Sequence, residues 1–416
     1  MIDLNGYTAP EFACKCGKTH SAFTEHIITC DDAIQQLPEV CKEILAEGRV
    51  GIVGDENVKT VAYDVERVLV RAGYRTRAFI LPAGFTSTRE QAEKLADSGE
   101  DVRLLVAVGC VSIADTVRYC AFCRSDAWVM FPTAPTTDAV LFPYCDYTEN
   151  GVRITVKADP PRALVADYSV IENAPGYTVA AGYGTLLSKL TRAFDFAFDG
   201  ITDKKYCKTL TREFTETVTE FFGAESCESI SLRICRTLIR VGVIAQLADE
   251  EDFTTGGGYF AARCLKTQFK DERLIGENAA ISAFTAYCIL EGYLKHNPFD
   301  LYIPSSLPEY FRYLNKNCGL SCVSLLKEGG KSGKDEAHLY VLQEYAEDLL
   351  NALRTLYGNV KSKTKQFRRL YEDAGYWLGS YCSCDEAFKT VAAAYAAGGD
   401  GLLSSLALGG ALENVV

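Results

Sequence analysis

Apolar runs and amphipathic stretches alternate along the first 165 residues. RVGIVGD (49–55) has the pattern of a buried strand that closes on Asp55, and VKTVAYDVERVLVRAG has helical spacing. YRTRAFILP reads as the next strand, and TREQAEKLADSG as a helix with Ser87 or Thr88 as its N-cap. LLVAV (104–108) is a further strand, stopped by Gly109 and followed by the helix IADTVRYCAF and the strand WVMFP. Strands and helices at this spacing predict βαβ units and a mainly parallel sheet. VRITVKADPPRALVAD (152–167) reads as short strands broken by Pro160 and Pro161.

Beyond YSVIENAPGY the period becomes helical. The helical stretches are TLLSKLTRAFDFAF, LTREFTETVTEFF, SISLRICRTLIRVGVIAQLA, ENAAISAFTAYCILEGYL, SLPEYFRYL and VLQEYAEDLLNALRTLYG. The expected organisation is an α/β, Rossmann-like domain over 1–165 and an all-α domain over 166–416. KEGGKSGKDEA (327–337) reads as a loop, and no fixed-period repeat is visible.

Composition adds limits. The 416 residues allow two domains, each with its own core, and 48% apolar against 24% charged is a globular balance. A net charge of −12 argues against nucleic acid or an anionic membrane surface as the main partner. No apolar run approaches the ~20 residues that span a bilayer, and the first twenty residues lack signal-peptide character. The 17 cysteines are accordingly expected to be reduced thiols in a cytoplasm.

Two loops carry candidate chemistry. In AVGCVSIAD, Gly109 precedes a helix whose N-terminal N–H groups could cradle a phosphate, with Ser112 and Asp115 in its first turns. Val111 is a poor residue for a positive-φ or close-approach position. In FPTAPTTDA (131–139), Thr133, Thr136, Thr137 and Asp138 form a polar loop at a strand's C-terminal end, where α/β sheets bind ligands. An unliganded strand–turn–helix link and ordinary turn chemistry account for the same residues.

These segments, with VKADPPRALVADYSVIENAP, GYTVAAGYGTLLSKLTRAFDF, the C-terminal LYEDAGYWLGSYCSCDEAF stretch and the N-terminal FACKCGKTH, resemble the sn-glycerol-1-phosphate dehydrogenases of the iron-containing alcohol dehydrogenase and dehydroquinate synthase superfamily. The resemblance covers nearly the whole chain and implies a dehydroquinate synthase-like fold. It implies NAD or NADP held by Asp55, Gly109, Ser112, Asp115, Thr133 and Thr136. It also implies a small-molecule ligand in the interdomain cleft, with Asp138 near the nicotinamide, and it leaves a homo-oligomer open. The family's chemistry is hydride transfer to dihydroxyacetone phosphate, with a divalent metal as Lewis acid.

The resemblance also implies three metal ligands, one Asp and two His, and here those positions read Thr185, Tyr259 and Ile275. Gly182, Gly184, Ser188, Lys189, Thr191 and Asp195 otherwise keep the pattern around the first, and Gly276 and Glu277 keep it around the third. The window from 210 to 295 holds no histidine; the chain's four are His20, His26, His296 and His338. The expectation is therefore no catalytic metal, weak nucleotide binding and lost or altered activity. The alternatives are a metal-independent oxidoreductase using Lys189 or Tyr259 to polarise a carbonyl, and a non-catalytic nucleotide-binding or scaffold protein.

Three remaining features have ordinary readings. Cys14-x-Cys16 with His20 could be half of a zinc knuckle, but no partner pair is evident, and it is expected to be an edge hairpin without metal. Cys120 and Cys123, one helical turn apart, are expected to be core packing rather than a redox pair, and Cys382 and Cys384 are read in the same way. The glycines at 256–258 are expected to form a flexible turn.

Overall fold

The computed structural model describes residues 11–295, apart from 46, 99–100, 150–151, 202–205, 224–226, 252 and 270–273, together with Arg312. The expected helices beyond 295, the 327–337 loop, Cys382, Cys384, His296 and His338 lie outside the described residues.

In chain order, a short hairpin, β1 (Phe12–Ala13) and β2 (Thr19–His20), precedes β3 (His26–Cys30) and α1 (Leu37–Ile44). Then come β4 (Arg49–Asp55), α2 (Lys59–Arg71), β5 (Arg75–Leu81), α3 (Arg89–Ser98), β6 (Val102–Gly109), α4 (Val111–Arg124) and β7 (Ala127–Pro132). The hairpin β8 (Tyr144–Glu149) and β9 (Val152–Lys157) leads to β10 (Ala163–Asp167) and α5 (Tyr168–Glu172). The remaining elements are α6 (Gly176–Ile201), α7 (Lys208–Gly223), α8 (Ile230–Ala248), α9 (Gly256–Phe269) and α10 (Ile275–Lys295).

Six strands form one parallel sheet in the order β3-β10-β7-β6-β4-β5. Its inner strands are apolar on both faces, as expected for a sheet covered on both sides. Val50 and Ile52, Leu104, Val106 and Val108, Val129 and Phe131, and Ala163 and Val165 share one face. They pack with Leu37 and Val40 of α1 and with Ala62, Val65 and Leu69 of α2. Helix α4 contacts β6, β7, α3 and β8, and residues 113–121 are buried throughout, so its sequence shows no amphipathic stripe. The cap of α3 is Thr88: its Oγ1 accepts from Gln91 N–H, and Gln91 Oε1 accepts from Thr88 N–H, a reciprocal capping box.

The chain divides into two compact units. The first is Met1–Pro175 with Ser226–Glu251, and the second is Gly176–Glu225 with Asp252–Val416. The first unit thus takes in α8, from the helical half of the sequence. The reason is a buried side chain. Gln246 Oε1 accepts from the N–H groups of Phe23 and Thr24, and its Nε2 donates to Thr24 Oγ1 and the Leu141 carbonyl. Gly242, one turn earlier, lies so close to the 138–141 turn that an added Cβ would stand 2.7 Å from Leu141 Cβ.

The second unit is helical in its described part. Helices α6 and α10 cross with glycine against glycine: a Cβ on Gly184 would fall 2.2 Å from the Gly276 carbonyl oxygen. The three glycines at 256–258 open α9 rather than forming a loop. Gly256 makes the turn with φ +62°, and a Cβ there would meet Arg192 Cδ at 2.7 Å and Asp195 Oδ2 at 2.9 Å. Arg192 donates to the Phe253 carbonyl and lies over the rings of Phe196 and Tyr206.

Candidate functional site

From β4 the chain moves to β5 on one side of the sheet, and from β6 it moves to β7 on the other. The C-terminal ends of β4 and β6 are therefore neighbours at the point where the winding reverses, the usual place for a ligand crevice. Val53 pairs with Ala107, and continuing that register sets Asp55 beside Gly109; Gly109 itself pairs with Pro132. The Thr133 N–H donates to the Gly109 carbonyl at 3.2 Å. The fold thus brings together Asp55, Gly109, Ser112 and Thr133, four of the sequence-derived cofactor residues.

The local backbone explains the glycine. Gly109 has φ +146°, outside the range of ordinary side chains, and Ile113 Cδ1 would lie 2.3 Å from a Cβ there. Cys110 is the N-cap of α4, with extended backbone and no side-chain cap bond to the helix. Burial pushes its thiol pKa up, the facing N–H groups of Ser112 and Ile113 pull it down, and the Asp55 carboxylate raises it further. Val111 is the first helical residue, so the backbone strain expected of it falls on Gly109 instead. Asp55 is 8% exposed and accepts from the N–H groups of Asn57 and Val58.

Asp115 is turned to another partner, and Asp138 is buried in a turn. Asp115 Oδ1 accepts from Arg118 Nη1 at 2.7 Å, and Arg118 also donates to the carbonyls of Ala139, Val140 and Tyr144 while lying over Trp128. A fully buried guanidinium thereby fixes the loop that follows Thr136. Asp138 is 1% exposed and opens a short 3-10 turn capped by Thr137, whose Oγ1 accepts from Ala139 N–H. Thr136, half-buried, donates its N–H to the Ala134 carbonyl. Arg118 and Gln246 organise this loop and escaped sequence reasoning. The only signal for the first was the Asp-x-x-Arg spacing inside an apolar helix.

In the second unit, one of the three positions inferred for metal ligands lies against the turn of helix that carries another. A Cβ on Gly276 would stand 2.8 Å from Thr185 Oγ1, so Thr185 of α6 faces the first turn of α10, where Ile275 is the first residue. Tyr259, half-buried, lies in the first turns of α9. Thr185 Oγ1 donates to the Ala181 carbonyl at 3.1 Å, and Ile275 has no donor atom at all. Lys189, one turn beyond Thr185, is 3% exposed and donates from Nζ to the Thr254 carbonyl at 2.9 Å.

Known proteins agree with this architecture. A family model described as iron-containing alcohol dehydrogenase matches residues 29–175. A glycerol-1-phosphate dehydrogenase [NAD(P)+] of Bacillus licheniformis is 28% identical over 280 residues, 64% of this chain and 70% of that protein. The enzyme of the same name from Methanoculleus marisnigri is 24% identical, over 62% of this chain and 72% of its own length. An iron-containing alcohol dehydrogenase from Thermococcus thioreducens superposes with a TM-score of 0.52 at 13% identity, covering 90% of this chain and 98% of its own. A probable glycerol dehydrogenase of Sinorhizobium meliloti gives 0.51 at 13%, covering 83% and 98%; at such identities the likeness concerns the fold alone. Among the described residues no helix is long and apolar enough to cross a membrane. Over residues 29–175 the chain is similar to the iron-containing alcohol dehydrogenase family, and its sequence relatives fall in the glycerol-1-phosphate dehydrogenase branch.

Proposed function

We propose that this chain is a dinucleotide-binding member of its branch in which metal-dependent hydride transfer has been lost or altered. The observation that carries the reading is Thr185 facing the first turn of α10, which opens on Ile275. An alkyl residue occupies the position where the resemblance calls for an imidazole, one residue before the Gly276 that faces Thr185, whose hydroxyl is already given to a peptide carbonyl. Zn²⁺ and Fe²⁺ take carboxylate, imidazole or thiolate, so the donor set does not fit them. Without the cation, a Lewis-acid term on the order of several kcal/mol is missing from carbonyl reduction.

The nucleotide half of the reading rests on the crevice. The relatives' names include NAD(P)+, and here Asp55, Gly109, Ser112 and Thr133 surround a helix N-terminus suited to a pyrophosphate. Asp115 supports that wall through its ion pair with Arg118. Cys110 and Val111 replace smaller residues that the resemblance has in this turn, which favours weak binding of NAD or NADP. A metal-independent reductase acting on a small phosphorylated or polyol carbonyl would need Tyr259 or Lys189 as its acid, and the Lys189 geometry argues against the second. That ammonium is buried and spends a proton on Thr254, which makes this the weaker reading.

Calorimetric titration with NADH and NADPH, run beside turnover of dihydroxyacetone phosphate with added Zn²⁺ or Fe²⁺, tests the proposal. Weak binding that tightens in Val111→Gly, without metal-stimulated turnover, is the expected result. Turnover that depends on added metal overturns it.

A further inference from the structure

The N-terminal hairpin holds a cluster that the dehydrogenase reading does not use. The Cys14 N–H donates to the Lys18 carbonyl, and the Gly17 N–H, at φ +89°, donates back to the Cys14 carbonyl. This tight turn sets two thiols side by side, while β2 brings His20 across from Phe12. The ligand atoms of Cys14, Cys16 and His20 all lie within 4.8 Å of one another. Tetrahedral Zn²⁺ with Zn–S near 2.3 Å and Zn–N near 2.1 Å requires ligand–ligand edges of about 3.5–3.8 Å. Cys16 Sγ and His20 Nε2 are 3.2 Å apart, close to that edge.

The imidazole is independently prepared for a metal. His20 is 4% exposed, and its Nδ1 stands 2.6 Å from the Leu247 carbonyl. A carbonyl only accepts, so Nδ1 carries the proton and Nε2 turns its lone pair toward the thiols. That is the arrangement of a metal-bound histidine oriented by its second nitrogen. Leu247 follows Gln246, whose four hydrogen bonds fix this end of α8.

We propose that Cys14, Cys16 and His20 bind a structural Zn²⁺ ion, with the fourth vertex supplied by water or by a further thiol of the chain. The ion ties the N-terminal hairpin to the C-terminal end of α8. This site is separate from the Thr185, Tyr259 and Ile275 positions, so total metal content alone does not test it.

The test is cobalt substitution of the full-length chain under reducing conditions, with zinc content measured in parallel. One equivalent of zinc in the purified protein is expected, and Co²⁺ should give thiolate-to-metal charge-transfer bands together with tetrahedral visible bands. Cys16→Ser, at an exposed thiol, and Cys14→Ser should each lose the metal and the spectrum. Cys123→Ser, at another exposed thiol, should keep both. A wild-type protein that holds no zinc and gives no cobalt spectrum overturns the proposal, as does a spectrum that survives in Cys14→Ser and Cys16→Ser.

Discussion

Gln246 and Thr24, 222 residues apart, are joined by two hydrogen bonds: Thr24 N–H to Gln246 Oε1 at 3.1 Å, and Gln246 Nε2 to Thr24 Oγ1 at 2.9 Å. The Thr24 hydroxyl passes its own proton to the Pro161 carbonyl. Both side chains are buried, so every member of this network needs its partner.

Gln246→Ala strands two N–H groups, a hydroxyl and a carbonyl, and should cost about 2–4 kcal/mol of stability. Thr24→Ala should be milder. Chemical denaturation of both single variants and the double variant should return a double variant well short of the sum, because the residues share partners. Simple additivity would mean that the network is not coupled.

Arg118→Met removes the cation that joins Asp115 to three carbonyls of the 139–144 loop. Leaving Asp115 buried without its partner should cost on the order of 3–5 kcal/mol. Arg118→Met paired with Asp115→Asn should recover part of that loss. Thermal unfolding of the two proteins checks the order.

Alkaline stability should be set by buried thiols. Burial raises the pKa of Cys41, Cys120 and Cys235 from 9.0 to about 12 in the folded protein. These groups are neutral in both states below pH 9. Between pH 9 and about 12 the unfolded chain ionises them while the native chain does not, so stability falls as pH rises. Each thiol contributes up to about 1.4 kcal/mol per pH unit in that window. The midpoint of thermal unfolding should drop above pH 9, and less so in Cys41→Val. At pH 8 a thiol reagent should label Cys123 in the native protein and leave Cys120 untouched.

The helix crossing invites reconstruction of a cation site. The triple change Thr185→Asp, Tyr259→His and Ile275→His should add one equivalent of metal to whatever the wild type holds. Thr185→Asp alone should add none and lose a few kcal/mol at most, about the cost of a partly buried unpaired charge. Thermal shift with Zn²⁺ reads both. A folded triple variant with unchanged metal content would refute the register assigned to Tyr259.

The strands of the α/β unit were plain in the sequence because RVGIVGD, LLVAV and WVMFP are apolar on both faces and end in Gly, Asp or Pro. Thr88 was legible as a cap for the same local reason. Strand β3 was not, because HIITC is a half-buried edge strand whose pattern is weak, and the two-residue strands of the hairpin are too short to show any period. The assignment of α8 to the first unit was invisible, since a helical period records how a face is patterned and not what covers it. Gln246 in VGVIAQLA carries no local mark of its four bonds. At the crevice the sequence located Gly109 and Thr133, but it could not show that Asp115 faces Arg118, because that pairing depends on the later loop reaching α4. Likewise the Cys-x-Cys spacing with His20 could not show that β2 sets the imidazole within 4.8 Å of both thiols.

The discontinuity of the first unit has a consequence for its synthesis. While residues 1–175 leave the ribosome they form every strand of the parallel sheet, yet the N–H groups of Phe23 and Thr24 and the Leu141 carbonyl must wait for Gln246. A nascent chain halted before residue 246 would therefore present a finished sheet with an unsealed flank. Protection of that flank from proteases should appear abruptly, as α8 emerges, rather than growing with chain length.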